Sequence, residues 1–325
     1  MKNASLYYSV GPLLYCPASS ESLAPALINQ QFGTGYSLAL CLEDTIQDRW
    51  VKAAEDTLIH TLTLLHEEKQ SAGFFLPKIF IRVRKPEQIR DLSDRLDQAG
   101  ELVSGFILPK FSEENADEYL KQIENANKIY NRDTFAMPIL ESPSIIDLND
   151  RYRILYSLKK KLDDVERLVL NVRVGGNDLC HMFGIRRRVD ECIHDISPVA
   201  NIFSDIITIY GTDYVVSGPV WEYYSGDGWK TGLINELKRD RLCGFIGKTV
   251  IHPKQIEIVK EAYRVCRQDA EDAKAILNWD ESSKTLVSGN PSRERMNERN
   301  THSNWAFRTM MLAEAYGIKE QDESD

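Results

Sequence analysis

Residues 134–144 read TFAMPILESPS: an apolar run from Phe135 to Leu140 ends on the carboxylate of Glu141 and breaks at Ser142-Pro143. No charged residue alternates within the run, so a strand here would be covered on both faces, as the strands of parallel sheets are. A buried carboxylate without a partner is costly. The same stretch therefore asks what takes the charge of Glu141.

Seven other runs share this character, and together they predict strands at 13–16, 36–43, 79–84, 103–109, 134–141, 167–174, 213–220 and 243–251. Between them, helical apolar spacing predicts helices at 21–31, 48–69, 86–99, 113–131, 144–163, 190–210, 230–241 and 254–278. In 48–69 the spacing is clearest, with Val51, Leu58, Leu62 and Leu65 on one side. Eight strand-then-helix units this apolar fit a closed α/β architecture, the TIM (β/α)8 barrel, better than an open doubly wound sheet.

Past residue 279 the pattern turns polar and then gives the apolar helix WAFRTMMLAEAYGI at 305–318. This segment is too short to fold alone. The expected organisation is a barrel domain over 1–278 and a C-terminal extension over 279–325, a helical arm packed on the barrel or on a neighbouring subunit. The last residues, KEQDESD, read as a frayed end.

The chain has 325 residues, 42% of them hydrophobic, and 40 basic against 49 acidic side chains give a net charge of −9. That balance argues against nucleic acid as a partner while leaving room for a local anion pocket. Six scattered cysteines form no Cys-x-x-Cys pair and read as free thiols. No run of eighteen apolar residues or secretory leader is present, so no membrane partner and a cytoplasmic location are expected.

In such barrels the chemistry sits at the carboxyl ends of the strands. The predicted ends carry Glu43 and Asp44, Arg82 and Arg84, Lys110, Glu141, Arg173 followed by Gly175-Gly176-Asn177-Asp178, and Lys248. Glu141 and Asp178 come from neighbouring strands with no cation close in sequence, and a hard divalent ion such as Mg²⁺ would answer the charge problem. Gly175 and Gly176 either turn the chain or present backbone N–H groups to a bound carboxylate. Arg186-Arg187-Arg188 reads as a solvated basic turn.

The motifs LLYCPASS, LALCLEDTIQD, FIRVR, ILPK, PILES, GGNDLCHMFG and GFIGKTVIHPKQI resemble, in order and over nearly the whole chain, those of the HpcH/HpaI aldolase and citrate lyase beta-subunit family. The C-terminal RMNERNTHSNWAFRTMMLAEAYG is similar to a sub-branch of carbon–carbon bond lyase-like proteins associated with tellurium-resistance type gene clusters. The resemblance implies a barrel of the phosphoenolpyruvate-binding type, with Mg²⁺ (or Mn²⁺) held by Glu141 and Asp178. It also implies that Arg82 contacts substrate and enolate oxygens and that Glu43 and Asp44 lie near the waters of the metal. Arg84, Lys110, Arg173, Gly175 and Gly176 complete the expected substrate-binding set. Departures from the family pattern are Cys41 before Leu42-Glu43-Asp44, Arg84 in place of an Asn, and Pro17-Ala18 in place of Pro-Gly.

The implied reaction is metal-dependent carbon–carbon bond cleavage of a 2-oxo or 2-hydroxy acid, or its coenzyme A thioester, through a stabilised enolate. A homo-oligomer, trimer or hexamer, is the expected assembly. The rival expectation is a barrel that binds a ligand without catalysis, within a multiprotein or stress-response assembly. Phosphoryl transfer is disfavoured by the lack of a phosphate-cradling glycine loop.

Overall fold

The computed structural model describes residues 4–69, 73–290 and 292–319. Eight parallel strands form one sheet: β1 (Pro12–Pro17), β2 (Ser37–Cys41), β3 (Lys78–Arg82), β4 (Val103–Leu108), β5 (Phe135–Leu140), β6 (Val172–Val174), β7 (Val216–Ser217) and β8 (Lys248–Val250). Their order is β7-β6-β5-β4-β3-β2-β1-β8. A parallel bridge from Gly218 to Lys248 joins the two outer strands. Hydrogen bonds from the Gly218 N–H to the Gly247 carbonyl (3.0 Å) and from the Ile246 N–H to the Val216 carbonyl (2.8 Å) bring the sheet round to a barrel.

Each predicted strand is present, but the sheet is shorter than the apolar runs: the run at 213–220 contributes only Val216 and Ser217. The alternation of side chains along each strand sorts the core into two parts. Leu13, Ala39, Phe80, Ile107, Met137 and Ile139 point inward and fill the barrel. Leu14, Leu38, Leu40, Ile79 and Ile81 point outward beneath the helices.

The helices are α1 (Ser5–Tyr8), α2 (Leu23–Ile28), α3 (Val51–Lys69), α4 (Pro86–Leu96), α5 (Ala116–Tyr130), α6 (Arg151–Asp163), α7 (Gly176–Met182), α8 (Ser197–Tyr210), α9 (Trp229–Cys243), α10 (Ile256–Tyr263), α11 (Arg267–Leu277) and α12 (Arg299–Tyr316). Leu58, Leu62 and Leu65 of α3 are buried as their spacing requires, each contributing about 1.5–3 kcal/mol of transfer free energy. After β5 the Ser-Pro break starts only a short 3-10 turn, Pro143–Ile145, and α6 begins later, at Arg151. The predicted helix 254–278 is divided into α10 and α11, and 190–210 is helical from Ser197.

The polar stretch after 279 contains an antiparallel pair, Val287–Gly289 with Met296–Glu298, and α12 packs on α1, α10 and α11. Tyr7 packs against the barrel interior, which places α1 at the amino end of the strands. The expected fraying at the terminus falls, past Lys319, outside the described residues. No helix among them is long and apolar enough to cross a membrane.

Candidate active site

The carboxyl ends of β2 to β6 deliver six charged side chains to one place. Glu43 and Asp44 follow β2, Arg82 ends β3, Lys110 follows β4, Glu141 follows β5, and Asp178 lies in the first turn of α7. Arg82 is central, with its Nη2 2.7 Å from Glu43, 3.1 Å from Asp44 and 3.6 Å from Glu141. Lys110 reaches back to Glu43 (2.6 Å) and Asp44 (3.2 Å), while its backbone N–H donates to Glu141 Oε1 at 3.0 Å. That N–H can point at Glu141 because Lys110 adopts a left-handed backbone, φ 48°.

Electrostatics distinguish the carboxylates. Burial pushes the Glu141 carboxyl up to about 8; Arg82 opposes this, and the nearby Asp178 charge adds to it. Burial also raises Glu43. Asp44, half exposed, is held below the usual range, because the Glu43 hydrogen bond and the Arg82 and Lys110 charges outweigh its partial burial. Four carboxyl groups face two cations, so with Glu141 ionised the cluster carries the excess negative charge that one divalent ion would neutralise.

Among the described residues no group of three or more His, Cys, Asp or Glu side chains could enclose a metal by itself. The donor set at hand is two carboxylates, Glu141 and Asp178, to which water and substrate oxygens would have to be added. That fits Mg²⁺, which takes few protein ligands and keeps several waters.

Gly175 has a specific reason to be glycine. A Cβ there would lie 1.9 Å from Glu141 Oε2 and 2.4 Å from Glu141 Cβ. Its N–H is turned to the Leu140 carbonyl at 3.4 Å, so its contribution is room for Glu141. Gly176 starts α7 against Ile193 and Pro219.

Other expected residues lie elsewhere. Arg84 is turned away from the cluster and clamps the loop after β2, donating to the Ile46 carbonyl (2.8 Å), the Leu42 carbonyl (3.3 Å) and Asp48 (2.5 Å). Arg173 is fully buried inside the barrel below the rim, where it donates to Thr249 Oγ1 at 2.7 Å. Lys248 opens β8 instead of ending it and is sealed behind the sheet, 2.6 Å from Asp240 and 3.0 Å from Glu236 of α9. Arg187 is not solvated: it is buried 3.2 Å from Glu236 and lies over Trp221.

Tyr15 is the residue that sequence reasoning missed. It lies in β1 two positions beyond the inward-facing Leu13, under the Arg82 guanidinium at 5.8 Å. Burial raises its hydroxyl pKa, against the opposing charges of Arg173 and Arg82. The signal was present in the alternation, since Leu13 and Tyr15 pair with Ser37 and Ala39 and so share the register of the inward set. Below the rim, Arg82 Nε, Arg173 Nη1, Asn171 Oδ1 and Ser217 Oγ are buried polar atoms with no hydrogen-bond partner among the described residues. These polar atoms lie close to the apolar side chains that fill the barrel.

Residues 4–318 match the family described as C-C bond lyase of the TIM-barrel fold. The chain belongs to this family. It is accordingly a carbon–carbon lyase. No curated protein is significantly similar to it in sequence.

Among solved structures, CitE from Mycobacterium tuberculosis in complex with magnesium, acetoacetate and coenzyme A is 18% identical, with a TM-score of 0.59 over 96% of this chain and 99% of that one. The citrate lyase beta subunit from M. tuberculosis complexed with oxaloacetate and magnesium is 20% identical, TM-score 0.52, over 80% of this chain and 99% of that one. RipC from Yersinia pestis is 16% identical, TM-score 0.52, over 79% and 95%. At these identities the likeness is one of fold.

Proposed function

We propose that this lyase cleaves, or in reverse forms, a carbon–carbon bond next to the carbonyl of a small 2-oxo or 2-hydroxy acid, with Mg²⁺ or Mn²⁺ held by Glu141 and Asp178. The observation that carries the reading is the buried Glu141 carboxylate, which has Arg82 and one backbone N–H as partners and a pKa raised to about 8. When bound, the ion would supply Lewis acidity toward a carbonyl oxygen. The solved complex with oxaloacetate and magnesium supports this substrate class.

Arg82 is the group for the developing oxyanion. Its charge is fixed in place by Glu43 and Asp44, so it needs no reorganisation as negative charge moves onto the substrate oxygen. Glu43 and Asp44 both contact Arg82 and Lys110, and Asp44, half exposed, is the one that bound substrate would reach.

The test is turnover and calorimetry with Mg²⁺ and a panel of 2-oxo acids, alone and with acetyl-coenzyme A. Glu141→Gln and Asp178→Asn should leave a folded protein whose metal affinity falls by about hundredfold or more, since outer partners of a metal ligand alone are worth about 10–100-fold. Full metal-dependent activity in both variants would end the assignment. Binding of metal and acid without turnover would instead favour the non-catalytic barrel, and a requirement for acetyl-coenzyme A would identify the thioester form.

A further inference from the structure

A second cleft, of about 480 Å³, lies at the amino end of β8, the opposite end of the barrel from Glu141. Lys238 and Arg241 of α9 line it together with Trp305 and Arg308 of α12. So do Arg264 and Asp269, but these are committed elsewhere: Arg264 to Glu261 (3.3 Å) and the Ile318 carbonyl (2.8 Å), Asp269 to Arg295 (2.5 Å).

Among the described residues, Lys238, Arg241 and Arg308 have no carboxylate partner. Arg308 is partly withdrawn from water, donates to the Gly244 carbonyl, and burial lowers the pKa of its guanidinium. Three like charges around one cleft repel each other, and a partly buried cation without an anion adds a desolvation cost. In a chain of net charge −9, this concentration of unpaired cations runs against the average. Trp305 keeps 38% of its surface exposed at the cleft, although Arg295 lies over its ring at 5.3 Å.

We infer that this cleft binds a small phosphorylated ligand with a flat ring, the chemistry of a nucleoside phosphate, clamped between the barrel and the C-terminal helix. Guanidinium groups match phosphate oxygens in pairs. The Trp305 indole offers an aromatic surface to the ring. The cleft volume falls in the range of small-molecule sites. Because α9 belongs to the barrel and α12 to the arm, an occupant would hold the two together.

The experiment is calorimetry of the full chain with ADP, inorganic pyrophosphate and adenosine, in EDTA so that no ligand is held through a metal at Glu141. ADP should bind the wild type more tightly than pyrophosphate, and adenosine weakly. Arg241→Glu and Lys238→Glu, both at exposed positions, should each weaken ADP by about tenfold or more, as expected when one charge-assisted contact is lost. Trp305→Ala should bring ADP down to the affinity of pyrophosphate, and Arg82→Lys in the lyase site should change nothing.

Failure of both ADP and pyrophosphate to bind the wild type would overturn the inference. So would binding that survives the two charge reversals or is lost with Arg82→Lys. Equal affinity for ADP and pyrophosphate in the wild type would overturn the assignment of a ring.

Discussion

Replacing Gly175 by alanine tests whether the position of Glu141 governs metal binding. The backbone raises no objection, since Gly175 has φ −93° and ψ 76°, on the side of the map open to L-residues. The obstacle is Glu141, which supplies the three nearest atoms: the new methyl would lie 1.9 Å from Oε2 and 2.4 Å from Cβ. Ordinary contact is about 3.5 Å, so the carboxylate must move by roughly 1.6 Å or the strand end must give. Overpacking of this kind costs about 1–3 kcal/mol, and a ligand displaced by more than 1 Å is expected to lose about hundredfold in function.

Gly176→Ala is the matched control. Its methyl would meet Ile193 Cδ1 at 2.6 Å and Pro219 Cβ at 2.7 Å, an apolar crowding of similar size that leaves Glu141 untouched. Thermal melts should show comparable losses, near 2 °C per kcal/mol for a chain of this length. Mn²⁺ titration followed by electron paramagnetic resonance should show about hundredfold weaker binding only in Gly175→Ala. Wild-type affinity in Gly175→Ala, or an equal loss in Gly176→Ala, would refute the reasoning.

Lys248→Met should cost about 3–5 kcal/mol in guanidinium unfolding, because Glu236 and Asp240 stay fully buried and lose the ammonium they share; a loss below about 1 kcal/mol would contradict a structural role. Burial alone would raise the Asp240 carboxyl, but Lys248 and His194 hold it below the ordinary value of 3.8. Its stabilising contribution is therefore present above that value and is lost as pH falls through the lower folded value, so Asp240→Asn should flatten the acid limb of a stability-against-pH curve measured with denaturant. Arg84→Ala should cost about 1–3 kcal/mol through its carbonyl contacts and speed proteolysis of the loop after β2 while leaving KM unchanged; a large KM rise with no loss of stability would place Arg84 in the substrate pocket instead.

Much of the fold was legible because the strands of a barrel, covered on both faces, are nearly unbroken apolar runs, and eight of them alternate with helical periodicity. Boundaries were less so. Apolar residues beside a strand, such as Phe245 before β8, are buried in the same core without joining the sheet ladder. The short helices α1 and α7 and the antiparallel pair in the arm carry too few residues for a period to register. Tyr15 could have been found from the alternation with Leu13. Arg84 and Arg187 could not, because long side chains choose partners that only tertiary structure brings near.

Glu141 and Lys248 show where the sequence signal stops. Glu141 ends one apolar run and Lys248 lies inside another, and both read as residues of the catalytic rim. Glu141 follows its run, and in a parallel barrel the residue after the last sheet position emerges at the carboxyl end, so its placement follows from strand direction alone. Lys248 sits within the run 243–251, and its place depends on where the sheet begins. Because Phe245 and Ile246 belong to the approach, Lys248 becomes the first sheet residue, paired with Pro12 at the start of β1. Its side chain then faces α9, where Glu236 and Asp240, one helical turn apart, meet it. A charge after the apolar run marks the rim, whereas a charge inside one needs its register before it can be given a role.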